Sequence, residues 1–90
     1  MSAETLRSVH IAVRYFAAAR AAAGCDFEQL TVRPGATVAE VVEELGARNR
    51  ELARVLRRCS FLCDGIAVRN SAKPLPIGTT IDVLPPFAGG

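Results

Sequence analysis

Apolar and polar residues alternate with a period of two along residues 9–16. Val9, Ile11, Val13 and Tyr15 fall on one face, and His10, Ala12 and Arg14 on the other. Strand side chains point to opposite faces in turn, so this stretch predicts a half-buried strand. Residues 17–23 are alanine apart from Arg20 and stop at Gly24. High helix propensity ahead of a natural C-cap residue predicts a short helical connection. Residues 27–32, with Gln29 and Thr31 between, predict a second strand, punctuated by Pro34-Gly35.

The period then changes. Val38, Val41, Val42 and Leu45 follow the i, i+3, i+4, i+7 spacing of an amphipathic helix. Thr37 and Glu40 stand as a capping box, each side chain expected to satisfy an orphan backbone N–H at the helix start. Glu40, Glu43 and Glu44 look like a carboxylate cluster, but early-helix acids complement the macrodipole, which is the favoured explanation. Gly46 is expected to weaken or end this helix. A second helical piece, about residues 49–58, presents Leu52, Val55 and Leu56 to a core. Residues 59–63, Asp64-Gly65 and residues 66–68 predict a hairpin, since Asp-Gly suits a type I′ turn. Residues 73–78 form a turn-rich connection. Residues 80–84 are a last strand with Ile81 and Val83 on one face.

A first hairpin, a helix laid across a sheet and a closing strand parallel to the first suit an α+β, β-grasp (ubiquitin-like) domain with a mixed sheet. Helix on one face leaves the other available to a partner. Residues 1–8 carry no pattern and are expected to be a loose extension. Residues 9–84 make the single domain, and residues 85–90 an extended, flexible tail.

Composition narrows the function. Ninety residues leave room for one core, and 50% hydrophobic with 22% charged residues is ordinary globular usage. With no Trp and a net charge of +2, neither a base-stacking platform nor a strong basic stripe is supplied, and no nucleic-acid partner is expected. The densest basic stretch is Arg48, Arg50, Arg54, Arg57 and Arg58, for which the solvated face of a helix is favoured over an anion-binding patch. Cys25, Cys59 and Cys63 have neither zinc nor thioredoxin spacing and are expected to be small buried thiols, on one strand face with Phe61 for the last two. The only histidine, His10, has no partner acid or nucleophile beside it. Arg14 and Arg20 interrupt the alanine-rich stretch, no apolar run could span a bilayer, and a cytoplasmic protein without membrane contact is expected.

No Ser-His-Asp set, metal-ligand cluster or phosphate-binding glycine loop is present in the sequence. The chain is therefore not expected to be catalytic alone. The chemistry concentrates in Pro85, Pro86, Phe87, Ala88, Gly89 and Gly90, directly after a strand. Two prolines cannot donate ladder hydrogen bonds and favour an extended conformation. Six extended residues reach up to about 20 Å. Gly89 and Gly90 lack Cβ and can thread a channel that rejects any side chain. Chance would place Gly-Gly at a named position about once in 200 chains. A carboxylate on Gly90 becomes electrophilic once adenylated, and glycine leaves that acyl carbon unhindered.

Three segments resemble a known family. Arg14-Tyr15-Phe16-Ala17 with Arg20 and Gly24 is similar to an early F-A-x-x-R-E-x-x-G pattern. Asp64-Gly65 with Val68 is similar to the hairpin after the helices. Ile77-Gly78 through Leu84-Pro85-Pro86-Phe87-Ala88-Gly89-Gly90 is similar to a closing L-x-x-G-D-x-V…P-P-x-x-G-G. On these the chain resembles the MoaD/ThiS sulfur-carrier family, in its molybdopterin-synthase branch, over nearly everything after Ser8. Ala21 stands where the family has an acid, Thr79 where it has Asp, and Phe87 where Val is common. The first two are expected to remove local hydrogen bonds or ion pairs.

The resemblance implies an E1-like adenylyltransferase that activates Gly90 with ATP, and a sulfur donor protein that converts it to a thiocarboxylate. It also implies a large catalytic subunit, in a heterotetramer of two small and two large chains, where the sulfur is passed to cyclic pyranopterin monophosphate. The carrier itself would bind no cofactor and no metal. Pro85 to Gly89 would thread the partner, with Arg14, Phe16 and Arg20 as candidate docking residues. A carrier for thiamine thiazole or cysteine synthesis, a modifier that conjugates to lysines, and an inert interaction module are the competing expectations.

Overall fold

The computed structural model describes residues 8–86. Strand β1 (Val9–Tyr15) turns into helix α1 (Ala17–Ala23), followed by β2 (Phe27–Val32), α2 (Val38–Arg48) and α3 (Arg50–Leu56). The chain closes with β3 (Ser60–Cys63), β4 (Ile66–Ala67) and β5 (Thr80–Leu84). The sheet order is β2-β1-β5-β3-β4. β5 runs parallel to β1, with Arg14 opposite Asp82 and Tyr15 opposite Val83, and antiparallel to β3. This is the mixed β-grasp sheet the pattern predicts.

The alternation in β1 places side chains as expected. Ile11, Val13 and Tyr15 are buried, and with Leu30, Ile81 and Val83 they meet Val41, Leu45, Leu52 and Leu56 of the helices. Each such fully buried aliphatic side chain contributes about 1.5–3 kcal/mol over its exposed state. The opposite sheet face carries His10, Arg14, Phe27, Gln29 and Thr31, all exposed. Phe27 shares the parity of Gln29 and Thr31, which puts a half-exposed ring on the outer face.

The type I′ hairpin forms as predicted. Asp64 (φ 49°) and Gly65 (φ 84°) both take the left-handed region between the paired Cys63 and Ile66. An aspartate tolerates this conformation, and here its Oδ1 accepts the Thr80 N–H at 2.9 Å. Asp64 thereby stitches the turn to the neighbouring strand.

Two expectations about the helices need correction. The capping box is one-sided: Thr37 Oγ1 accepts the Glu40 N–H at 3.2 Å, while the Glu40 carboxylate is engaged by the Arg33 guanidinium and by the Thr37 hydroxyl. Gly46 does not end α2, which continues to Arg48. The break comes at Asn49, whose extended backbone (φ −151°, ψ 109°) separates α2 from α3. Its Oδ1 caps α3 at the Leu52 N–H, and its Nδ2 donates to the Ala22 carbonyl, so one side chain ties three helices.

Gly46 instead marks a close approach. A Cβ there would meet Ala53 Cβ at 3.2 Å. Gly46→Leu should therefore lower stability by about 1–3 kcal/mol through overpacking. Gly46→Ala should stay within about 1 kcal/mol of wild type, because improved helix propensity opposes the tight contact. Urea-unfolding midpoints check both. An unchanged midpoint for the leucine variant would show that α2 and α3 separate without cost.

Candidate functional site

The candidate site is the end of β5 together with the proline segment after it. Val83 is buried between Tyr15 on β1 and Phe61 on β3, its Cα neighbours in the sheet. The ladder stops at Leu84, where prolines remove the next donors. Pro85 is buried and Pro86 exposed. The root of the last segment is thus packed into the body at Pro85. Phe87, Ala88, Gly89 and Gly90 lie outside the described residues.

Beside that root is an open groove of about 680 Å³, lined by Ala18, Arg54, Arg57, Arg58, Pro85 and Pro86 among others. The five arginines of the basic stretch separate here. Arg48 turns away to Glu28 (3.1 Å), whereas Arg54, Arg57 and Arg58 face the groove and are exposed.

On the outer sheet face Arg14 Nε and Nη2 donate to the Asp82 carboxylate at 2.7 and 3.1 Å. Hydrogen bonding to Asp82, then its charge, raises the Arg14 pKa. The guanidinium also lies 5.3 Å from the Phe16 ring centroid, within cation–π range. Two of the three candidate docking residues therefore stand together on this face, and Arg20 is an exposed residue of α1. Ala17, the first residue of α1, has φ 50°, in the left-handed region, where alanine avoids the extra crowding of a β-branched side chain.

Thr79 is fully buried and its hydroxyl donates to the Pro76 carbonyl at 2.7 Å. The expected loss of a local hydrogen bond at this position is thus compensated by one of its own. Ala21 is exposed.

Below the sheet, Tyr15 OH donates to Glu28 at 2.7 Å, and Arg48 holds the other carboxylate oxygen. Burial, then this bond, pushes the phenol far above its ordinary range. Cys59 and Cys63 are half-buried on the Phe61 side of β3, and Cys59 Sγ donates to the Val55 carbonyl. Burial raises both thiols. In the unfolded chain thiols and the phenol lose protons near about pH 8.5 and 10, whereas the fold retains them. The unfolded state therefore binds fewer protons at alkaline pH, and linkage makes unfolding easier there. Stability should hold through neutral pH and fall from about pH 9 upward. Urea midpoints across pH 7–10.5 check this, and Cys59→Ala/Cys63→Ala should flatten the first part of the fall.

Among the described residues no group of three or more His, Cys, Asp or Glu stands together as a metal site, and no helix is long and apolar enough to cross a membrane. His10 is exposed, with Nδ1 3.3 Å from Thr31 Oγ1.

Known proteins share this architecture and part of the sequence. A family model described as the ThiS family matches residues 13–90. No curated protein sequence matches significantly. The solution structure of the HVO 2177 protein of Haloferax volcanii is similar at a TM-score of 0.81 and 28% identity, covering 93% of this chain and 89% of that one. A Pyrococcus furiosus protein assigned as molybdopterin-converting factor subunit 1 is similar at 0.78 and 26%, covering 88% and 99%. Small archaeal modifier protein 1 of H. volcanii is similar at 0.76 and 22%, covering 88% and 99%, a likeness of fold.

Proposed function

The chain belongs to the ThiS family of ubiquitin-like proteins, and from that premise we propose that it is a sulfur carrier whose Gly90 carboxylate becomes a thiocarboxylate. The observation that supports this most is that the family match runs through residue 90 and so includes Gly89-Gly90. The body supports it as well. β5 is held between β1 and β3, and Pro85 just after it is buried, so the segment that leads to Gly90 starts from a fixed point of the sheet.

The finer assignment is the small subunit of molybdopterin synthase. Pro85-Pro86 and the helical insert that contains α3 favour it over thiazole carriers, and the P. furiosus relative carries a subunit-1 assignment in molybdopterin conversion. An E1-like partner uses ATP to adenylate Gly90, and a donor protein replaces the nucleotide with sulfur. The tail then enters a large subunit, which holds the acid–base groups and the cyclic pyranopterin substrate. In this scheme Gly90 is a reactant, Gly89 and Ala88 pass the channel, and Phe87 fills an apolar pocket of the partner.

Intact-mass measurement after incubation with ATP, an E1-like partner and a sulfur source tests the carrier role. The expected product has one oxygen of Gly90 replaced by sulfur. An unchanged mass, with the partner active on another carrier, would sink the proposal. Denaturation-resistant conjugates on lysines in cells would point instead to a protein modifier, which uses the same activated carboxylate.

A further inference from the structure

We propose that the groove beside Pro86 is a docking trough for an acidic segment of the adenylating partner, gripped by Arg54, Arg57 and Arg58. This rests on the carrier reading above and adds to it a surface and a partner chemistry.

Three observations carry it. First, among the described residues the groove's lining holds three arginines and no carboxylate. Among the described residues Arg57 and Arg58 enter no ion pair, and Arg54 has only Glu51 at 3.9 Å, with both side chains more than 70% exposed. Such an exposed contact leaves the guanidinium open to a better partner. Arg48, by contrast, is already held by Glu28. Second, the floor is apolar, made by Ala18, Val55 and the two prolines, so an extended peptide could lay its backbone and stems there with carboxylates toward the rim. Among the described residues the trough has no aromatic side chain to stack a base, and its arginines are exposed, so a small free anion would meet no buried donor there. An acidic peptide fits better than either. Third, the trough is lined by Pro85 and Pro86, three residues from the Gly89-Gly90 pair in the sequence. A protein that acts on Gly90 works close to this rim along the chain.

Arginines at the end of α3 also complement its dipole, but a seven-residue helix does not require three of them at one groove. A rim of like charge mainly steers encounter and sets salt dependence. That suits a carrier that must meet its activating enzyme again after each delivery.

The test compares activation kinetics of the full chain with the adenylating enzyme of the same organism, monitored by intact mass. Arg54→Gln/Arg57→Gln/Arg58→Gln is set against Arg54→Lys/Arg57→Lys/Arg58→Lys, with circular dichroism to verify that both fold. The glutamine variant should raise KM for the carrier about tenfold, leave kcat unchanged and lose most of the salt dependence. The lysine variant should restore most of both. An unchanged KM, or equal loss in the lysine variant, would overturn the proposal.

If wild type is not activated at all, the carrier reading fails and the trough is judged separately. Amide shifts of the isotope-labelled chain are then measured with an oligoglutamate peptide, inorganic phosphate and a short single-stranded DNA. Peptide-induced shifts at Arg54, Arg57 and Arg58 that vanish in the glutamine variant support the trough. No shift, or stronger shifts with phosphate or DNA, overturn it.

Discussion

Placing one alanine after Gly90 is expected to reduce sulfur loading to background while leaving the melting temperature unchanged. The extension keeps both glycines, the prolines and the whole body. It moves the carboxylate by one residue and puts a Cβ beside the acyl carbon, so the adenylating enzyme would meet the wrong atom at its catalytic centre. Displacement of a reacting group by about 1 Å can cost on the order of 10²-fold, and one extended residue adds roughly 3.3–3.6 Å. Stability should not respond, because the sheet ladder ends at Leu84 and the last buried residue of the described chain is Pro85. Gly89→Val is the companion variant. It leaves the carboxylate in place but fills the backbone channel, and should cost on the order of 10²-fold in loading rate by the same positional argument. Intact mass over a time course reads both. Loading of the extended chain at the wild-type rate would show that the chemistry does not reside on Gly90.

Much of the fold was legible because local and tertiary demands agree. In β1 the period-two pattern and the core face coincide residue by residue, and Asp64-Gly65 carries the turn chemistry that its backbone angles require. Gly46 misled because propensity describes an isolated helix, whereas its lack of a Cβ here serves the contact with Ala53 on the next helix. Asn49 was placed at a helix start, but its second bond, to Ala22, depends on α1 returning to the same junction. The Arg14–Asp82 pair is 68 residues apart in the chain and needs the parallel register of β1 and β5 to exist. The groove is the same kind of case. Arg54, Arg57 and Arg58 are solvent-exposed, as the sequence suggests, but only the fold shows Pro85 and Pro86 alongside them. Phe27 was readable, since its parity with Gln29 and Thr31 already places it outward.

Tyr15 is where stability should be most exposed to a single change. It is the largest fully buried side chain among the described residues, with 2% of its surface accessible; it pairs with Val83 of β5, and its N–H donates to the Asp26 carbonyl just before β2. Its ring fills the core and its hydroxyl ends on Glu28, which Arg48 of α2 also grips. Tyr15→Ala removes the ring, leaves a cavity and strands part of that network, so a loss of about 3–5 kcal/mol is expected. A domain of this length has roughly 5–13 kcal/mol in total, so the variant should lose a large share of its stability. Tyr15→Phe keeps the ring and deletes only the hydroxyl. Hydrogen bonds to charged groups contribute about 1.5–3 kcal/mol, and Glu28 retains Arg48 in this variant, so the lower end is expected. Urea denaturation of the three proteins separates the two contributions. Equal losses for Phe and Ala would mean that the Glu28 bond, and not ring burial, dominates. A loss below about 1 kcal/mol for Ala would mean that the core collapses around the missing ring. The functional corollary is specific. Tyr15 neighbours Val83, two residues before Pro85, so the Tyr15→Phe protein should hold the tail root in place and accept sulfur at the wild-type rate.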